Sequence, residues 1–110
     1  MIDFTNEGDA KDRIGHGTFI SSVVGSVNKD CPGIAPDAEI YIFKLFTEER
    51  VSYTSWFIDA FNFVLDNDID IVNLSNGSSD FQDEPFTDKI NELIAHGVIV
   101  ISAIGNEGPF

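Results

Sequence analysis

A chain of 110 residues with 43% hydrophobic residues, including ten phenylalanines, has the material for the core of one small domain. Nineteen acidic side chains against six Lys and Arg leave a formal net charge of −13. That balance excludes nucleic-acid binding by phosphate neutralisation and makes an anionic membrane surface a poor partner. Cys31, the single cysteine, rules out an internal disulfide framework or a C-x-x-C metal cluster.

Residues 1–15 are polar and read as a lead-in loop, starting M-I-D-F-T-N-E-G-D without the basic and apolar regions of a signal peptide. From His16 the pattern turns helical: Phe19, Val23 and Val27 recur at four-residue steps, with Ile20 and Val24 beside them. Thr18 is a possible cap near the start, and Ser21, Ser22, Gly25 and Ser26 would permit close packing. N-K-D-C-P-G-I-A-P, from Asn28 to Pro36, is turn-rich.

Glu39 to Phe46 reads as a strand rich in Ile and aromatics. A second helix is expected from Thr54 to Leu65, with Trp56, Phe57, Ala60, Phe61, Val64 and Leu65 as a wide apolar stripe. Ile71 to Ser75 reads as the next strand. A third helix follows from Phe86 to His96, ended by Gly97. The last strand, Val98 to Ala103, is apolar without alternation, as suits a parallel strand covered on both faces. Helices alternating with short strands predict right-handed crossovers and a three-stranded parallel sheet. No apolar run approaches the ~18 residues of a membrane helix.

In an open parallel sheet, ligands bind beyond the carboxyl ends of the strands. Lys44 to Arg50, Ser75 to Ser79 and Ile104 to Gly108 leave that edge, and His16, at the start of a crossover helix, faces it too. Each feature also has a plain reading. G-H-G-T is compatible with a flexible helix start, G-N-E-G with a turn, and N-G-S-S with a turn bearing hydroxyls. A single histidine cannot hold zinc, and His96 lies at the far end of a helix. Asp9 and Asp12 lie near His16 in sequence, but nothing in the sequence fixes their side chains. No phosphate-cradling glycine motif follows any strand.

Gly15-His16-Gly17-Thr18, Gly33-Ile34-Ala35-Pro36, Ile71 to Ser75 and Ser102 to Pro109 resemble, in order and spacing, the central part of a subtilisin-like serine protease. Phe19, A-P-D-A-E at 35–39, V-S-Y-T-S-W-F at 51–57, D-A-F-N at 59–62 and S-A-I-G-N at 102–106 point within that family to the site-1 protease group. The resemblance implies a three-layer α/β fold with a parallel sheet, incomplete here, spanning residues 1–110 as a partial catalytic domain. It implies that His16 is the general base and Asn106 the side-chain donor of the oxyanion hole. Ser75, Asn76 and Gly77 would pair with a polypeptide substrate in extended conformation, with Gly105 keeping the neighbouring wall small. It suggests a membrane-anchored parent in the secretory pathway, so membrane contact would come only through parts outside this chain. No nucleic-acid partner is implied.

The departures from the family pattern are specific. Fifteen residues precede His16, and Asp3 lacks the strand and the glycine that accompany the family's catalytic aspartate. No G-T-S-[MA]-A-P stretch follows Asn106. Ser102, expected in buried strand, and Ser75, expected in the substrate-pairing segment, are not nucleophile candidates. Asn76 and Ser78 stand where the family usually has an apolar residue and a glycine, which changes the inherited pocket. Asn73-Leu74-Ser75 and Asn76-Gly77-Ser78 fit the glycosylation pattern, but the first is strand and the second would block the cleft. Asn28 to Gly33 is too short for the family's usual calcium loop, so no cofactor and no metal site is expected.

These features favour a fragment of an endopeptidase over a self-contained, non-catalytic α/β interaction module or pseudoenzyme. A stand-alone domain should not stop directly after an apolar strand or leave sheet edges open. The 110-residue chain expressed alone is expected to fold poorly and to show no hydrolysis of a fluorogenic peptide; turnover abolished by His16→Ala would contradict this.

Overall fold

The helices arise where apolar residues recur at helical spacing, and the strands are shorter than the sequence suggests. The computed structural model describes residues 1–75, 83–103, 105 and 106. In chain order the elements are β1 (Ile2–Asp3), α1 (His16–Gly25), β2 (Phe43–Lys44), α2 (Thr54–Asp66), β3 (Ile71–Leu74), α3 (Glu84–Ala95) and β4 (Ile99–Ser102). The chain divides into two compact units, Met1–Tyr53 and Thr54–Phe110.

In the first unit β1 pairs in parallel with β2, Ile2 opposite Phe43 and Asp3 opposite Lys44. The Ile2 N–H donates to the Ile42 carbonyl at 2.8 Å and the Phe4 N–H to that of Lys44 at 3.0 Å. The Phe4 and Phe43 rings meet edge to face, 5.4 Å apart. This corrects two expectations: the polar lead-in contains a strand, and Asp3 lies in it. A two-residue strand carries no periodicity that a sequence could display. The strand β2 is likewise two residues long, shorter than the Glu39 to Phe46 strand that the sequence suggests.

The helix α1 buries none of its side chains; Phe19 is 63% exposed, and Val23, Val24 and Val27 are also exposed. Its C-terminal end is instead tied down by main chain. The N–H groups of Gly33, Ile34 and Ala35 donate to the carbonyls of Ser26, Val23 and Val24 at 2.8, 3.1 and 2.7 Å. Carbonyls at a helix end have no partner within the helix, so this returning segment satisfies them. The approach is close. A methyl group on Gly33 would lie 2.5 Å from the nitrogens of Gly25 and Ser26, and one on Gly25 would run into the Ile40 side chain. The small residue expected at Gly25 for close packing is used in this way.

In the second unit β3 and β4 are parallel, with Ile71, Val72, Asn73 and Leu74 opposite Ile99, Val100, Ile101 and Ser102. Phe57, Ala60, Phe61 and Val64 of α2, Phe86 and Leu93 of α3, Val72 and Leu74 of β3, and Val98 form the core. The rings of Phe57, Phe61 and Phe86 form a triangle with centroids 5.6–6.1 Å apart. Each buried phenylalanine contributes about 1.5–3 kcal/mol by transfer from water.

Among the described residues the strands form two two-stranded parallel sheets, where a single sheet of three was expected. Covering on both faces is not observed: Val72 and Leu74 are buried, while Ile71, Asn73, Ile99 and Ile101 on alternate positions are exposed. The third helix begins before Phe86 because Pro85 stands in its first turn, where a missing N–H costs nothing. Gly97, at φ +85°, ends it and donates its N–H to the Ile94 carbonyl at 3.0 Å, as expected.

The close approach at Gly33 generates a stability prediction. Gly33→Ala is expected to lower the unfolding free energy by about 1–3 kcal/mol, because fixed main-chain atoms must move. Urea denaturation of the full-length protein that contains this segment measures this, and an unchanged midpoint would refute the packing account.

Candidate active site

His16 is the first residue of α1 and is exposed. The residue before it, Gly15, takes the N-cap position at φ +96° and has no side chain with which to cap. A glycine is needed at that angle, but glycines on both sides of a histidine leave its backbone unusually free. Asp12 removes that freedom. Its Oδ1 accepts the N–H of Ile14 at 2.9 Å and of Gly15 at 2.8 Å. Its Oδ2 accepts the Thr18 N–H at 3.1 Å and the Thr18 hydroxyl at 2.5 Å.

One carboxylate thus spans the histidine, bonded to main chain on either side of it. Thr18 is not the cap that the sequence suggests; it is the third helical residue and donates to Asp12. The expectation that nothing fixes Asp9 and Asp12 is overturned for both. A legible signal existed: an Asp two and three residues ahead of N–H groups at a helix start favours such a turn, and a bare glycine N-cap requires a neighbour to substitute.

Asp9 belongs to an ion network that holds the rest of the lead-in. Arg13 grips it with two bonds, Nη1 to Oδ1 at 3.0 Å and Nη2 to Oδ2 at 2.7 Å. Glu7 bridges Lys44 of β2 at 2.5 Å and Arg13 at 3.3 Å, and its Oε1 accepts the Glu48 N–H at 2.7 Å. The Lys44 hydrogen bond, then the Glu48 N–H, hold the Glu7 carboxyl below its usual range. The Arg13 hydrogen bond does the same for Asp9, more strongly. The segment leading into α1 is therefore fastened to β2 and to the loop after it.

The His16 ring forms no hydrogen bond among the described residues. Asp3 does not orient it: the Asp3 Oδ1 accepts the Thr5 N–H at 2.9 Å and the Thr5 hydroxyl at 2.5 Å. His96 caps the far end of α3, with Nδ1 2.9 Å from the Glu92 carbonyl oxygen.

The second unit carries Ser75, Gly105 and Asn106. Ser75 follows β3, is half-buried, and accepts the Asn73 amide on its Oγ at 2.7 Å. The Ala103 N–H donates to the Leu74 carbonyl at 2.9 Å, which extends the pairing beyond β4. Gly105, at φ +93°, and the exposed Asn106 come directly after. Because the strands are parallel, Ser75, Gly105 and Asn106 gather at one sheet edge, the carboxyl ends of β3 and β4. Asn76 and Gly77 lie outside the described residues. Ser102 is exposed rather than buried, and its hydroxyl donates to the Ala103 carbonyl at 3.2 Å. No cluster of three metal-ligating side chains occurs among the described residues.

The Asp12 geometry fixes the sign of a pH effect. The Gly15 N–H and then the Thr18 hydroxyl stabilise the charged carboxyl and hold it well below the usual carboxylate range. A depressed folded-state value means the strap is complete above the unfolded value of about 3.9 and is lost only as pH falls through the lower folded one. In an NMR titration the Asp12 carboxyl carbon is expected to be among the last carboxyls to protonate. A midpoint at or above about 3.9 would contradict the strap.

The site can be set beside known proteins. The sequence profile of the subtilase family, peptidase S8, matches residues 3–110. The chain is 55% identical over 106 residues to the membrane-bound transcription factor site-1 protease of Homo sapiens, covering 96% of this chain and 10% of that protein. It is 50% identical over 106 residues to the subtilisin-like protease SBT6.1 of Arabidopsis thaliana, with the same coverage of 96% and 10%. Subtilisin E of Bacillus subtilis is 27% identical over 100 residues, 89% of this chain and 26% of that protein. The chain spans about a tenth of the length of the first two relatives. With the family profile matched from residue 3 to residue 110, the chain belongs to the subtilase family of serine proteases.

Proposed function

We propose that this chain supplies the general base and the oxyanion donor of a serine endopeptidase whose other catalytic groups are carried by a longer protein. The observation that carries the reading is the family match over residues 3–110, together with His16 between two glycines at the first turn of α1. Asn106, placed just past the carboxyl end of β4, supports it from the other unit.

In this reading a serine hydroxyl, supplied outside these residues, attacks the scissile carbonyl of an extended polypeptide. His16 takes the hydroxyl proton as the C–O bond forms, and the carbonyl π electrons move onto oxygen. The Asn106 amide N–H donates to that oxyanion. Collapse of the intermediate breaks the C–N bond, and His16 returns the proton to the leaving amine. Water then repeats the sequence on the acyl-enzyme and releases the acid.

In this reading Ser75, Asn76 and Gly77 pair with the substrate main chain, and Gly105 leaves room beside them. An amide at Asn76 and a hydroxyl at Ser78 make the first specificity pocket more polar than an all-apolar one, so it suits side chains able to hydrogen-bond. By its similarity to the membrane-bound transcription factor site-1 protease, the full-length protein would work in the secretory pathway; no described helix of this chain is long and apolar enough to cross a membrane.

The test is hydrolysis of a fluorogenic peptide by the full-length protein that contains this segment. His16→Ala is expected to reduce turnover to background. Asn106→Ala should lower kcat by about 10²–10³ with little change in KM, a magnitude known from subtilisin and not from this chain. Activity insensitive to His16→Ala would remove the reading and leave a non-catalytic scaffold.

A further inference from the structure

The Asp12 carboxylate does more than start a helix. A histidine that moves a proton twice per cycle must keep its ring within a narrow range of positions, because misplacement costs rate steeply. Among the described residues, side-chain packing does not hold His16. Its flanking residues are glycines, its helix buries no side chain, and its ring has no hydrogen-bond partner among the described residues. What fixes the His16 main chain is the four bonds that Asp12 accepts, two from the residues just before it and two from Thr18 just after.

We propose that Asp12 is a positioning residue for peptide-bond hydrolysis, which sets the location of the His16 imidazole by clamping the main chain on both sides of it. The proposal rests on the reading of His16 as general base. Asp12 touches neither substrate nor nucleophile in this role; it acts through the histidine. Both carboxylate oxygens are needed, because one serves the approach to the helix and the other serves its first turn. An amide in place of the carboxylate keeps one acceptor oxygen and can complete only one side.

The experiment uses the full-length protein containing this segment, with Asp12→Ala, Asp12→Asn and His16→Ala, on a peptide amide and on the matching p-nitrophenyl ester. Amide cleavage needs the histidine to protonate a poor leaving group, whereas an activated ester leaves without that help. A mere loss of folded protein lowers both rates equally, so the amide-to-ester ratio of kcat separates positioning from folding.

Asp12→Ala is expected to lower amide kcat at least tenfold, with KM within about twofold and the amide-to-ester ratio reduced at least threefold. Asp12→Asn should fall between Asp12→Ala and the unaltered protein. If Asp12→Ala does not fold, the ratio for Asp12→Asn decides alone. An unchanged ratio in the folded variants overturns the proposal while loss of activity in His16→Ala leaves the reading of His16 standing. Activity retained by His16→Ala overturns both.

Discussion

The helix that carries His16 is held at its ends and not along its side. Because α1 buries no side chain, hydrophobic packing, the usual source of helix stability in a folded protein, does not fix it. Two sets of hydrogen bonds do. At the N-terminal end Asp12 gathers four donors around the histidine; at the C-terminal end three successive N–H groups from Gly33, Ile34 and Ala35 close off the carbonyls. The positioning proposed for His16 depends on the first of these clamps, and among the described residues the two together give a glycine-flanked residue a defined place. The ion network of Glu7, Asp9, Arg13 and Lys44 then carries the N-terminal clamp back to β2.

The second unit is built on the opposite plan. Three phenylalanine rings, with Leu93 and Val64, supply a dry centre to which β3 and β4 add Val72 and Leu74 from one face. There the backbone is positioned by packing, and the polar groups of interest ride on what emerges from the strand ends. Ser75 and Asn106 owe their shared edge to parallel pairing, which puts both strand C-termini on one side. The main chain around His16 is placed by hydrogen bonds, whereas Asn106 follows a strand whose place is set by pairing and packing.

Periodicity made α1, α2 and α3 legible, because apolar residues at helical spacing report a helix whatever covers it. It could not show whether the apolar side of α1 is covered, and here Phe19, Val23 and Val24 are exposed. The alternation in β3 is real, yet Ile71 and Ile99 point to the exposed face, where an apolar residue and a polar one look equally acceptable to the backbone. The strand β1 escaped because two residues display no pattern, and with it the parallel partner of β2. The candidate residues themselves were legible as motifs, His16 from G-H-G-T and Asn106 from G-N-E-G. Asp12 was legible only as an acidic residue a few positions ahead of a helix start; its four bonds depend on where N–H and O–H groups point, and a sequence does not write directions.

Gly33 gives this architecture an unusual evolutionary property. Most crowded contacts can be relieved by trimming a neighbour, so that a harmful enlargement at one position is rescued at another. Here the atoms facing Gly33 are the main-chain nitrogens of Gly25 and Ser26, which every amino acid carries alike. No second-site substitution can make that obstacle smaller. The crossing beneath the histidine helix is therefore closed to compensation, and lineages that keep the helix clamped in this way must keep the glycine at 33 with it.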